Sequence, residues 1–261
     1  MRVGSLNNPA LPLAAELDRI AAAGFDFADV TLEPPQAWPV TGSELAQLLA
    51  ATGLPAVGHT PYYLPIASPF PEIRAQAHAV FAQLLDAFSE AGVAIVNVHP
   101  DPMTRLFARD VVVARNAHAV ADLAGEAARR GLQLMVENLG VIGTKDDLGT
   151  IFAAAPAATF HLDVGHAHLN RRPTEPNRTE ELLVAFGDRL AHVHVSDNFG
   201  LDDLHLPLGA GSIDWPSVVG ALKRAGWDDT VTLEIFSREP THLETSRRLW
   251  ETWWRDGDHL E

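Results

Sequence analysis

Short β-branched or apolar runs alternate with longer stretches of helical apolar spacing eight times along this chain, and that alternation leaves few folds open. The runs fall at 2–5, 28–32, 56–59, 94–98, 132–137, 159–163, 190–195 and 231–235, and the helical patterns at 12–23, 43–52, 71–91, 110–130, 145–154, 178–187, 216–225 and 241–254. Strand, helix and strand in succession build parallel pairs with crossover helices. Eight such pairs in 261 residues suit a (β/α)8 barrel better than an open sheet, so a single α/β domain over 1–261, a (β/α)8 barrel, is expected. No Ser/Gly/Pro-rich linker or charge block divides the chain. Gly24, Gly53, Gly92, Gly131 and Gly226 each follow a helical stretch and precede a strand, the left-handed stop of a helix-to-strand loop. Ser43 and Asp214, the latter just before Pro216, read as helix N-caps. The strand-to-helix loops at 60–70, 99–109, 164–177 and 196–215 are longer and richer in His, Arg and Pro, on the face where barrel enzymes carry their active sites.

Six strands run into a metal-ligand side chain: AVGH at His59, AIVNVH at His99, LQLMVE at Glu137, TFHLD at Asp163, AHVHV with His194, and VTLE at Glu234. With 12 His and 34 acidic residues among 261, six such hits exceed what chance would place there. Any one of them could be a helix cap or a satisfied core His; together, in a barrel, they converge on one mouth. The chain has no cysteine, which excludes disulfides, zinc ribbons and thiol catalysis and leaves imidazole and carboxylate as metal ligands. In HLDVGHAH, Asp163 ends a strand and His166 follows a turn three residues on, a spacing that lets both face one cavity. His161 shares the strand face of Asp163 and reads as core.

In HVHVSDNFGLDDLHLPLGAG, His192 and His194 share a face, and His194 is the expected ligand because it lies nearer the C-terminal end. Asp203 and His205 follow in a loop closed by Gly209 and Gly211, glycines that read as a turn rather than a phosphate cradle. Glu137 and Glu234 read as the only acidic residues in otherwise apolar strands, so each must be paired, hydrogen-bonded or metal-bound. Facing carboxylates of this kind can exchange protons with a bound substrate. Glu33, after the second strand, reads equally as a member of the ring and as a solvated loop residue, and Arg171, Arg172 and Arg178 read as a solvated loop before a phosphate site.

Glu137, Asp163 with His166, His194 and Glu234 resemble the metal site of the xylose-isomerase-like TIM-barrel superfamily, which includes sugar and sugar-phosphate isomerases and epimerases and the endonuclease IV enzymes of DNA repair. The resemblance spans essentially the whole chain. It implies that Glu137, Asp163, His194 and Glu234 hold one divalent metal and that the two glutamates shuttle protons through an enediol. The likeness to endonuclease IV implies further ligands for a three-zinc cluster, here His59 in GHTPYYLP, His99 in NVHP, His166, and Asp203 with His205 in DLHLPLGAG. The chain departs from endonuclease IV in having DVGH for DTCH, a shorter loop between His194 and Asp203, and an opening, MRVGSLNN to GFDFADVTLE, closer to the small-sugar branch.

The expected function is therefore a divalent-metal-dependent isomerase or epimerase of a small sugar or sugar phosphate, with Glu137 and Glu234 catalytic. The alternative is a multinuclear-metal phosphoester hydrolase, at the extreme an abasic-site endonuclease; a non-enzymatic metal-binding or sensor barrel comes third. The ligand chemistry suits Zn or Mn, as one to three ions. His59 and His99, on the third and fourth strands, are expected to lie across the barrel from Glu234, too remote for one cation held between the fifth and eighth. A formal charge of −15 disfavours nucleic acid as partner and leaves a small polyhydroxylated molecule as the expected substrate. The N-terminal stretch lacks a signal-peptide pattern and no apolar run approaches ~18 residues, so a cytoplasmic protein with no membrane partner is expected.

Overall fold

The computed structural model describes residues 1–103, 105–169, 177–237 and 239–257. Eight parallel strands close into one barrel: β1 (Arg2–Leu6), β2 (Phe27–Thr31), β3 (Ala56–His59), β4 (Ile95–Val98), β5 (Gln133–Glu137), β6 (Thr159–Asp163), β7 (Leu190–Val195) and β8 (Thr230–Leu233), with β8 pairing back onto β1. Around it run α1 (Leu13–Ala22), α2 (Gly42–Thr52), α3 (Pro71–Glu90), α4 (Arg109–Arg129), α5 (Lys145–Ala154), α6 (Val164–His168), α7 (Thr179–Phe186), α8 (Trp215–Arg224) and α9 (Pro240–Asp256). The (β/α)8 expectation holds, and the helix-ending glycines at 24, 53, 92, 131 and 226 all have positive φ.

Local differences have local causes. The cap of α2 is Thr41 rather than Ser43, because Thr41, two residues earlier, forms a reciprocal capping box with Glu44. The stretch after Asp163, read as loop, turns once as α6, since the Asp163 side chain accepts the backbone N–H of His166. The β8 ladder stops at Leu233, so Glu234 lies one residue past the strand, its N–H donated to the Val195 carbonyl at 3.2 Å.

Period-two alternation sorts the strand residues. Val30, Val98, Val136, Leu162, Val193 and Leu233 face outward into the apolar core beneath the helices. Their neighbours Asp29, Thr31, Asn97, Glu137, His161, Asp163, His192, His194 and Thr232 face inward, all 0 or 1% exposed. The barrel floor is a separate apolar cluster of Phe27, Val57 and Met135. Gly4 makes room for it, since a Cβ there would stand 2.4 Å from the Phe27 ring. An apolar floor with polar layers above it confines the chemistry to the C-terminal mouth. In the outer shell, Trp250 is fully buried and packs edge-on to Trp215 at 6.1 Å between ring centroids. Trp250→Ala is expected to lower stability by about 3–5 kcal/mol, seen as a reduced Tm, because so large a void cannot collapse.

Candidate metal centre

Glu137, at the end of β5, is the hub of one half of the mouth. Its Oε2 accepts a hydrogen bond from Asn97 Nδ2 at 2.8 Å and lies 3.0 Å from His99 Nε2 and 3.2 Å from His161 Nδ1, while Oε1 is 3.2 Å from His166 Nδ1. Asn97 is itself fixed by the backbone N–H of Thr60, which it accepts at 2.7 Å. On the other half, His194 Nδ1 is 3.0 Å from Glu234 Oε2, and His205 Nδ1 is 3.1 Å from the Glu234 carbonyl oxygen. Asp163 joins the halves: its backbone is locked to Asn138 by two hydrogen bonds of 2.8 Å. Asp203 bridges His166 Nε2 at 2.9 Å and His205 Nε2 at 3.1 Å. His205 holds φ at 45°, a left-handed conformation that costs a non-glycine residue about 1–3 kcal/mol and that its ring contacts maintain.

One ligand atom from each member lies within 4.8 Å of the others in five overlapping triads: Glu137, Asp163 and His166; Asp163, His194 and Glu234; His59, Glu137 and His194; His166, Asp203 and His205; and His161, His192 and His194. Among the described residues, every ion-pair partner of these carboxylates is an imidazole. Burial pushes the Asp163 carboxyl up to about 7. Burial opposes ionisation of Glu234 as well, yet His205 and His194 outweigh it and hold that carboxyl at about 2. Burial disfavours the charged form of His205 too, but Glu234 and Asp203 raise it to about 9. His59 goes the other way, pushed down to about 4 by burial and by His99.

Protons on imidazole thus balance a surplus of buried negative charge. A divalent cation can replace them, binding with proton release. Two unpartnered groups support that fit: both ring nitrogens of His59 and Oδ2 of Asp163 are buried with no hydrogen-bond partner. Orphaned polar atoms of this kind are costly unless something coordinates them.

The structure brings all nine candidate ligands into one contiguous cluster, His99 joining it through Glu137. His59 is a correction. It is not remote from the far strands, because its ring stacks on His194 at 5.6 Å and its ligand atom belongs to the triad with Glu137 and His194. Inward side chains from opposite strands meet at the axis of so narrow a barrel. His192 lies one layer below His194, bonded to Thr230, Thr232 and Asp29, and shares a triad with His161 and His194. His161, read as core, is fully buried yet touches Glu137. Glu33 is half-buried, raised by burial and bonded to the Tyr63 phenol, and belongs to none of the triads. Arg171 and Arg172 lie outside the described residues; Arg178 is tied to the carbonyls of Ala167 and Leu169.

Asp29 was missed. It is a buried acid in the middle of β2, so Glu137 and Glu234 are not alone among the strands, and the same test of a carboxylate within an apolar run would have found it in FADVT. Asp197 was missed as well. It accepts the N–H groups of Gly209, Ile213 and Trp215 Nε1 and so anchors the loop that carries Asp203 and His205. The turn reading of Gly209 and Gly211 holds, and a Cβ on Gly211 would stand 2.3 Å from Asp197 Oδ1 and 2.4 Å from the Asn198 carbonyl. Gly211→Ala is accordingly expected to cost about 1–3 kcal/mol, measured by thermal unfolding, as the loop gives way.

A family model described as a xylose isomerase-like TIM barrel matches residues 17–257. L-Ribulose 3-epimerase of Methylomonas sp. (strain DH-1) is 26% identical, over 92% of this chain and 85% of its own. Probable endonuclease 4 of Mycobacterium leprae (strain Br4923) is 35% identical, but over only 38% of either chain. In fold, the crystal structure of a D-tagatose 3-epimerase-like protein superposes with a TM-score of 0.87 at 23% identity, covering 100% of this chain and 99% of that one. With the closed eight-stranded barrel and a family match running over nearly its whole length, the chain belongs to the xylose isomerase-like TIM-barrel family.

Proposed function

We propose that this protein is a divalent-metal-dependent epimerase or isomerase of a small polyhydroxylated sugar. The observation that carries the reading is the pair of buried glutamates, Glu137 and Glu234, linked through Asp163 and His194 at the one mouth. Glu137, Asp163, His194 and Glu234 would hold the ion, Zn or Mn by their mixed imidazole and carboxylate character. A bound divalent cation supplies a Lewis acid that polarises the substrate carbonyl and its neighbouring hydroxyl. One glutamate takes the proton from the carbon beside the carbonyl, leaving an enediolate; the other delivers a proton to the opposite face of that carbon, which restores the carbonyl and inverts the centre. The bonds from Asn97 to Glu137, and the hold of Val195 on the backbone of Glu234, keep both carboxylates in place through this exchange. The near full-length likeness to a sugar epimerase supports the same reading. Among the described residues no helix is long and apolar enough to cross a membrane.

A second reading, a multinuclear phosphoester hydrolase, draws on the further triad of His166, Asp203 and His205, which a one-metal epimerase does not require. Asp203→Ala separates the two. For the epimerase, the variant keeps one tightly held ion and incorporates deuterium from solvent into ketose substrates. For the hydrolase, it loses an ion and, with it, cleavage of phosphodiester or abasic-site substrates. Wild-type deuterium incorporation without phosphoester cleavage supports the proposal; phosphoester cleavage abolished in Asp203→Ala would overturn it.

A further inference from the structure

We infer that Asp29 is a positioning residue for His194: it holds the Nε2 proton of that ring so that Nδ1 is the atom offered to the cation. The inference rests on the metal-dependent reading above. Asp29 is 1% exposed and His194 is fully buried, so neither has water to turn to. Oδ2 of Asp29 accepts from His194 Nε2 at 2.7 Å, from Thr232 Oγ1 at 2.9 Å and from His192 Nε2 at 3.1 Å, and the shortest of the three goes to the ring that reaches the mouth. The other nitrogen, Nδ1, points at Glu234 Oε2, 3.0 Å away.

A neutral imidazole has one N–H and one lone pair, and the partner of the first decides where the second points. With a carboxylate on Nε2, the lone pair stays on Nδ1, toward Glu234 and Asp163. Without that acceptor, the Nδ1–H form would be favoured instead, donating to Glu234 and offering no lone pair to a cation. The fixed charge of Asp29 also makes the ring a stronger donor, as carboxylates behind metal-bound histidines do. Strand placement supports this: Thr232 is the ladder neighbour of His194, and its hydroxyl braces Asp29 from β8 while Asp29 itself comes from β2. Asp29 therefore reaches His194 from behind, away from the loops that admit substrate.

The test is zinc affinity by chelator competition in the wild type, Asp29→Ala, Asp29→Asn and Thr232→Val, together with a crystal structure of the zinc-loaded wild type. Asp29→Ala is expected to bind zinc about 10–100-fold more weakly, with Asp29→Asn restoring part of the loss through its amide oxygen. Thr232→Val removes a buried hydrogen bond to the same carboxylate but leaves its bond to His194, so it should lower Tm without changing zinc affinity. A purely structural role for Asp29 predicts the opposite, with zinc affinity following Tm in both variants. Zinc bound as tightly by Asp29→Ala as by the wild type would overturn the inference alone, as would a crystal structure with zinc on Nε2 of His194. A wild type that binds neither zinc nor manganese overturns the metal-dependent reading and this inference with it.

Discussion

Replacing either Glu137 or Glu234 with glutamine is expected to lower the rate of sugar epimerisation by about 10²–10⁴, the range that a positioned acid–base group contributes. Glutamine keeps the shape and the hydrogen-bond acceptor but cannot take a proton. The two variants should also differ in kind. Inversion needs both faces of the carbon, whereas exchange with solvent needs only the face on which a carboxylate remains. Each variant is therefore expected to wash deuterium into one epimer much faster than it converts that epimer to the other, and the favoured epimer should switch between Glu137→Gln and Glu234→Gln. Metal content measured on the same samples separates loss of the proton shuttle from loss of the ion. Epimerisation within a few-fold of wild type in both variants, with the ion still bound, would remove the two glutamates from the chemistry.

Asp163→Ala is expected to abolish metal binding and activity together. Asp163 is the joint of the cluster: it belongs to the triad with Glu137 and His166 and to that with His194 and Glu234, and its unpartnered Oδ2 is buried between them. Removing it breaks two ligand groups with one substitution. The thermal readout follows from mass action. An ion at 100 times its Kd stabilises the wild type by about 2.7 kcal/mol, which for a chain of this size raises Tm by about 5–10 °C. In Asp163→Ala that metal-dependent rise should vanish. The metal-free variant should lose about 1 kcal/mol besides, because Asp163 also caps α6 through the backbone N–H of His166. Full metal stoichiometry with activity lost would instead make Asp163 a proton-transfer group.

Barrel, helix stops and most of the residues that meet at the mouth were legible in the sequence because each rests on short-range patterns. Gly53 and Gly131 follow helices and take the positive φ that glycine tolerates. Glu137 and Asp163 end their strands and His194 stands one residue before the end of β7; the residues before them, Val136, Leu162 and Val193, are apolar, and a period of two is enough to turn the first set inward and the second outward. What closure of the barrel decided is who meets whom across it. Nothing in the spacing of β3 and β7 tells that the rings of His59 and His194 stack, or that a carboxylate midway along β2 lies behind a histidine 165 residues away. Distances between inward side chains on non-adjacent strands depend on strand tilt and barrel radius. The sequence named the atoms able to hold a cation; the tertiary structure set the order in which they touch and supplied Asp29 behind them.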